Sequence, residues 1–156
     1  MWTPRPVASN ATDFISIEGG ARLTGQVRVP GAKNATLPAL VAACLSREPT
    51  TLTNVPLDLA DVRLMITTLG AHGVQITFDG PSTLTLDGSG WHGGAFSPEL
   101  STRFRHVLLL MGLSAFYRVP ADLTGVGGCS LGSRKHDLHA QLFSDFMFGL
   151  TDNWWR

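Results

Sequence analysis

The chain has 156 residues with 12 acidic and 12 basic side chains, so no net field draws it toward nucleic acid or anionic lipid. Its length suits one ordinary domain, and any anion site must be local. Apolar residues make up 44% and charged residues 15%, below the roughly 25% charge of ordinary soluble domains, which points to surface that faces other protein.

Residues 1–13 read as a polar lead-in, with Pro4, Pro6, Asn10 and Asp13 where a secretory leader needs an apolar core. The two cysteines, Cys44 and Cys129, are too few for a disulfide framework. No apolar stretch is long enough to span a bilayer. A cytoplasmic location without membrane contact is therefore expected. Phe14 to Glu18 and Gln26 to Val29 alternate with period two and read as short strands. Ala32 to Leu45 places Leu37, Leu40, Val41, Cys44 and Leu45 on one helical stripe. Pro38 then belongs in a first turn that begins near Thr36 or Leu37.

Thr50 to Val55 reads as a strand ending at Pro56, and Asp61 as the cap of a helix that Gly73 stops. Val74 to Phe78 and Thr83 to Leu86 form a hairpin-like pair around Asp79-Gly80-Pro81. A Gly-rich connector follows, Gly88 to Ala95, and then one long helix from Glu99 to Tyr117. Pro120 breaks it, Ala121 to Val126 reads as a strand, and a last helix starts near Asp137. Arg47, Pro49, Leu52, Thr53 and Val55 recur as Arg118, Pro120, Leu123, Thr124 and Val126, a period of roughly 71 residues. The expected organisation is a lead-in (1–13), a first βαβαββ unit (14–87), a connector (88–97) and an incomplete second unit (98–156). An incomplete unit leaves its last helix uncovered, so self-association through that helix is expected.

Three segments offer chemistry. Lys33-Asn34 lies where a strand gives way to a helix, and a helix N-terminus suits an anion. The alternative is a solvated lysine beside a capping asparagine. The loop Gly125 to Arg134 holds Cys129 among glycines, and a nearby guanidinium favours the thiolate. The alternative there is an ordinary turn with an unreactive thiol. Arg103 and Arg105 open the long helix, where cations are disfavoured unless an anion offsets them or they simply stay solvated. His136 and His139 lack a second ligand cluster, so no metal site is assigned, and no cofactor is called for.

Taken in order, Gly31-Ala32-Lys33-Asn34-Ala35, Leu37-Pro38, Glu48-Pro49, Asn54-Val55-Pro56, Asp61-Val62, Arg105, Gly127-Gly128-Cys129, Arg134 and Asp137-Leu138-His139 resemble the enolpyruvyl transferase family. The resemblance is to the branch known as UDP-N-acetylglucosamine 1-carboxyvinyltransferases. It implies an inside-out α/β barrel domain of βαβαββ units, here one complete and one incomplete. The implied reaction moves the enolpyruvyl group of phosphoenolpyruvate to the sugar 3-hydroxyl of UDP-N-acetylglucosamine, in peptidoglycan synthesis, with release of phosphate.

By that resemblance Lys33, Arg105 and Arg134 hold phosphate and carboxylate charge, since several cations are needed where charge develops. Asn34 contacts the sugar nucleotide, and Asp137 and Leu138 line the uridine pocket. Cys129 is implied as the acid toward the enolpyruvate methylene. Val126 replaces the family's proline, and Lys135-His136 replaces its Pro-Val. The family's general-base aspartate lies in a second domain, so the expectation is a truncated form. The alternatives are a non-catalytic remnant that binds a sugar nucleotide or a full-length partner, and carboxyvinyl transfer to another nucleoside.

Overall fold

The computed structural model describes residues 19–20, 22, 24–103, 105–122 and 141. Helix α1 spans Lys33–Ala43 and buries Leu37, Leu40 and Val41, the stripe expected from the sequence, with Cys44 following as its buried cap. The helix starts earlier than the proline suggested. Thr36 N–H donates to Ala32 O at 2.9 Å, so Pro38 sits inside the helix and not in its first turn. A proline there cannot donate to the carbonyl of Asn34, and such a loss is tolerated only where packing compensates. The fully buried Leu37 and Leu40 on either side supply that packing.

Strand β1 (Thr50–Leu52) leads to helix α2 (Ala60–Ala71), followed by β2 (Gln75–Phe78) and β3 (Leu84–Asp87). The three strands form an antiparallel sheet in the order β1-β3-β2. Registers run Thr51↔Thr85 and Leu52↔Leu84 on one side of β3, and Thr77↔Thr85 on the other. Period-two alternation sends Leu84 and Leu86 into the core. On the opposite face Thr51 and Thr85 share a hydroxyl hydrogen bond of 2.9 Å. The expected hairpin around residues 79–81 is present, closed by Asp79 N–H donating to Thr83 O at 3.0 Å.

Gly73 ends α2 as expected, at φ +98°. Val74 N–H donates to Leu69 O and Gly73 N–H to Gly70 O, the paired bonds of a Schellman cap. Asp61 does not cap this helix. Its N-cap is Leu59, with no side-chain bond, and Asp61 lies inside the first turn with its carboxylate turned elsewhere.

Two further expectations change. Gln26 to Val29 belongs to no strand, and Val27 is 88% exposed. Alternation needs a neighbouring strand to become a ladder, and among the described residues none pairs with this segment. The single long helix is instead α3 (Pro98–Arg103), a 3-10 turn (Arg105–Val107) and α4 (Leu108–Tyr117). The segment 98–103 is mostly polar and buries Leu100 in the core, whereas Leu108 to Leu113 is apolar nearly all round and packs against α1. The chain turns at Arg105–Val107 to bring that second part into the core.

The connector is more structured than its glycines suggested. Trp91 is buried, with its indole N–H donating to Ser114 Oγ at 3.2 Å, and it stacks near Phe96. Gly94–Ala95 forms β4, parallel to β5 (Ala121–Asp122). From α1 onward the expected α-β-α-β-β order of the first unit is present. Its first strand, Phe14 to Glu18, and the last helix, from Asp137, lie outside the described residues. Among the described residues no closed barrel forms, and no helix is long and apolar enough to cross a membrane.

Candidate functional site

Three elements converge at one corner: the first residue of α1, the first turn of α2 and the 3-10 turn before α4. The approach to α1 is fixed by close backbone packing. A Cβ on Gly31 would run into the carbonyl oxygen of Asn54, so only glycine lets the two segments meet. Asn54 itself adopts φ +57°, a left-handed conformation its short amide tolerates, and its Nδ2 donates to Val29 O at 3.4 Å. Gly31 and Asn54-Val55-Pro56 are therefore two halves of one contact. They also line a cleft of about 330 Å³ together with Pro30, Asp58 and Ser82.

Lys33 opens α1, whose N-cap Ala32 provides no side-chain bond to the first-turn amides. Those N–H groups carry the positive end of the helix dipole. The Lys33 ammonium donates to Asp61 Oδ2 at 2.9 Å, with side-chain exposures of 43% and 20%. Asn34 is exposed beside it. His106 enters the same corner on the 3-10 turn that also carries Arg105, and both are half-buried. Burial, followed by the positive charge of Lys33, holds His106 below the usual histidine range, with Asp61 opposing. His106 is thus a neutral neighbour to a full cation at physiological pH.

The corner can hold a small anion. It offers an uncapped helix N-terminus, a lysine steadied by a carboxylate, and an arginine on an adjoining turn. Among the described residues no group of three or more His, Cys, Asp or Glu is placed to hold a metal. Cys44 is a different kind of thiol from the one expected in the glycine loop. Burial, aided by the charge of Asp87, pushes it up to about 12, and its Sγ donates to Leu40 O at 3.2 Å. It is a packing residue, as its place on the apolar stripe suggested.

Of the residues singled out in the sequence, Lys33, Asn34 and the turn bearing Arg105 come together. Cys129, Arg134, Asp137 and Leu138 lie outside the described residues. Two members of the corner escaped sequence reasoning. In the sequence Asp61 reads as a helix cap, and His106 is one histidine among five without metal spacing. The available signal was indirect: a cation at a helix N-terminus is unfavourable, so a carboxylate must be found for Lys33.

Residues 17–144 match the family described as EPSP synthase (3-phosphoshikimate 1-carboxyvinyltransferase). The chain is 42% identical over 129 residues to the UDP-N-acetylglucosamine 1-carboxyvinyltransferase of Coxiella burnetii, covering 81% of this chain and 29% of that protein. The enzyme of the same name from Desulforapulum autotrophicum is 42% identical over 130 residues, and 30% of its length is covered. That from Acinetobacter guillouiae is 39% identical over 132 residues, covering 81% of this chain and 30% of that protein. Among solved structures, the enolpyruvyl transferase NikO from Streptomyces tendae aligns with a TM-score of 0.51 and 29% identity, over 62% of this chain and 22% of that one. The chain thus spans less than a third of the length of the curated relatives it matches.

Proposed function

The chain belongs to the EPSP synthase family of enolpyruvyl transferases, and from that premise we propose that its Lys33 corner binds the phosphoryl group of phosphoenolpyruvate. Its helices and strands are part of an enolpyruvyl transferase fold, as the likeness to NikO indicates. The observation that carries the proposal is the placement of Lys33. A cation stands on an uncapped helix N-terminus, beside a turn that brings in Arg105. An uncapped helix N-terminus with cations beside it suits a phosphorylated anion.

The acceptor in this reading is UDP-N-acetylglucosamine, the substrate in the names of the relatives from three bacteria. The reaction is transfer of the enolpyruvyl group to its 3-hydroxyl, a step of peptidoglycan synthesis, in the cytoplasm. Lys33 and Arg105, with Arg134, gather the negative charge. Asn34 reads the sugar nucleotide, with Asp137 and Leu138 at the uridine. Cys129 supplies a proton to the methylene carbon. A cation already in place lowers the barrier because little reorganisation remains when charge develops. The share of the reaction assigned to this chain is holding the donor, contacting the sugar nucleotide and protonating the methylene carbon. The general base that must take the proton of the sugar hydroxyl is assigned to the part of the relatives that this chain does not span.

Calorimetric titration tests the reading. Phosphoenolpyruvate is expected to bind the full chain, alone or with UDP-N-acetylglucosamine, and Lys33→Ala to weaken it about tenfold. Equal affinity for UDP-N-acetylglucosamine and for uridine diphosphate would remove the sugar from the proposal and favour another nucleoside acceptor. Absence of phosphoenolpyruvate binding under all conditions would end it.

A further inference from the structure

We infer that Asp61 is a positioning residue for Lys33: its carboxylate holds the ammonium at the N-terminus of α1, where a phosphorylated ligand would meet it. The inference rests on reading Lys33 as an anion-binding group and deepens it. Asp61 itself need not touch the ligand.

The physical case begins with the lysine. A lysine stem is flexible and its ammonium strongly hydrated, so solvent competes for it. The dipole of α1 also repels a cation from this end, and Ala32 provides no capping side chain to offset that. Both effects drive the ammonium outward. The observed position is the opposite, 2.9 Å from Asp61 Oδ2, with the side chain 43% exposed. Something must hold it, and the carboxylate is suited to do so. Asp61 is 20% exposed, and it stands in the first turn of α2, where the dipole stabilises a negative charge. It is therefore the fixed member of the pair. Helices α1 and α2 pack directly on each other, so the anchor and the lysine keep their spacing.

The same geometry makes a prediction whose sign is informative. Asp61 brings negative charge close to a site for an anion. By Coulomb's law alone, Asp61→Asn should strengthen anion binding. A positioning role predicts the reverse, because the released lysine spends its time in solvent.

The test uses the full ligand-free chain with 13C-labelled lysine. Lys33 and Lys135 are its only lysines, so assignment needs one variant, Lys135→Arg. Relaxation of the lysine Cε groups reports how firmly each is held on the picosecond to nanosecond scale. Wild-type Lys33 is expected to be restrained, Asp61→Asn to release it, and Asp61→Glu to restore part of the restraint. Thermal melts of each variant confirm that the fold is retained. Unchanged Lys33 relaxation in Asp61→Asn would overturn the inference, whatever the ligand does.

Titration with phosphoenolpyruvate supplies the second arm. Asp61→Asn is expected to weaken binding by about threefold, the scale of a half-exposed ion pair, and to have no such effect in the Lys33→Ala background. Tighter binding in Asp61→Asn would overturn positioning and make Asp61 a competing counter-ion. Absence of binding by the wild type would sink the anion-site reading, and the relaxation data would then decide the role of Asp61 without it.

Discussion

The two ends of α1 are held by opposite kinds of force, although only about ten residues separate them. Toward its C-terminus Leu37, Leu40 and Val41, with Cys44 as cap, are packed against α2, α4 and the sheet, and the Cys44 thiol donates to Leu40 O. At its N-terminus Lys33 and Asn34 face partly into solvent, and the lysine is paired with a carboxylate from another helix. Packing tolerates exchange of one apolar side chain for another of similar volume, so it specifies the fold loosely. A charge pair set against a helix dipole contributes little to stability. Under the proposed function, the demand on that pair comes from a ligand rather than from folding. Core and corner therefore answer to different constraints, which perturbation can separate.

The largest expected difference is chemical. With its thiol pushed up to about 12, Cys44 has a thiolate fraction of about one part in ten thousand at pH 8. Reaction of native protein with a disulfide reagent should therefore be identical in wild type and Cys44→Ala, the second thiol appearing only on unfolding. Fast native labelling of Cys44 would show that the packed end is open to solvent.

Next come the energetic contrasts, read by urea denaturation. Leu40→Ala removes a fully buried side chain and should cost about 2–5 kcal/mol. Lys33→Ala should cost less than about 1 kcal/mol while abolishing most anion binding. Comparable losses for the two would erase the distinction between the ends. Gly31→Ala lies between them, because its Cβ would strike the Asn54 carbonyl and must displace backbone. A loss of about 1–3 kcal/mol is expected, together with weaker phosphoenolpyruvate binding as the start of α1 shifts.

The smallest effect concerns pH. His106 is held below the ordinary histidine value near 6.5, mainly by burial. The unfolded chain therefore binds the proton more readily, and stability rises with pH across that window. The contribution of His106 is complete above about pH 6.5 and is lost as pH falls through the lower folded value. His106→Gln should flatten the acid side of the stability profile. An unchanged profile would mean that His106 is already solvated in the native corner.

Much of this was legible from the residues. The stripe on α1, the hairpin around Gly80 and the glycine stop at Gly73 follow from local periodicity and backbone preference, which a sequence carries directly. The failures share a cause in tertiary context. Gln26 to Val29 has the alternation of a strand, but pairing requires a partner that the pattern cannot supply. The break at Arg105–Val107 arises because α4 must turn into the core, an event decided by packing. Pro38 inside α1 overrode propensity for the same reason. At the corner, Lys33 and Arg105 stood out through a resemblance. Asp61 belonged to the same resemblance through Asp61-Val62 but received no role at the site, since an aspartate at the start of a helix already has an ordinary explanation as a cap.

The central claim, that Lys33 is presented to a phosphoryl group, is tested most directly by phosphorus NMR of phosphoenolpyruvate during addition of the full chain. The account predicts a shifted or broadened phosphoryl line with wild type, largely lost in Lys33→Ala and retained in Cys44→Ala. A line equally perturbed by wild type and Lys33→Ala, or by neither, would contradict it.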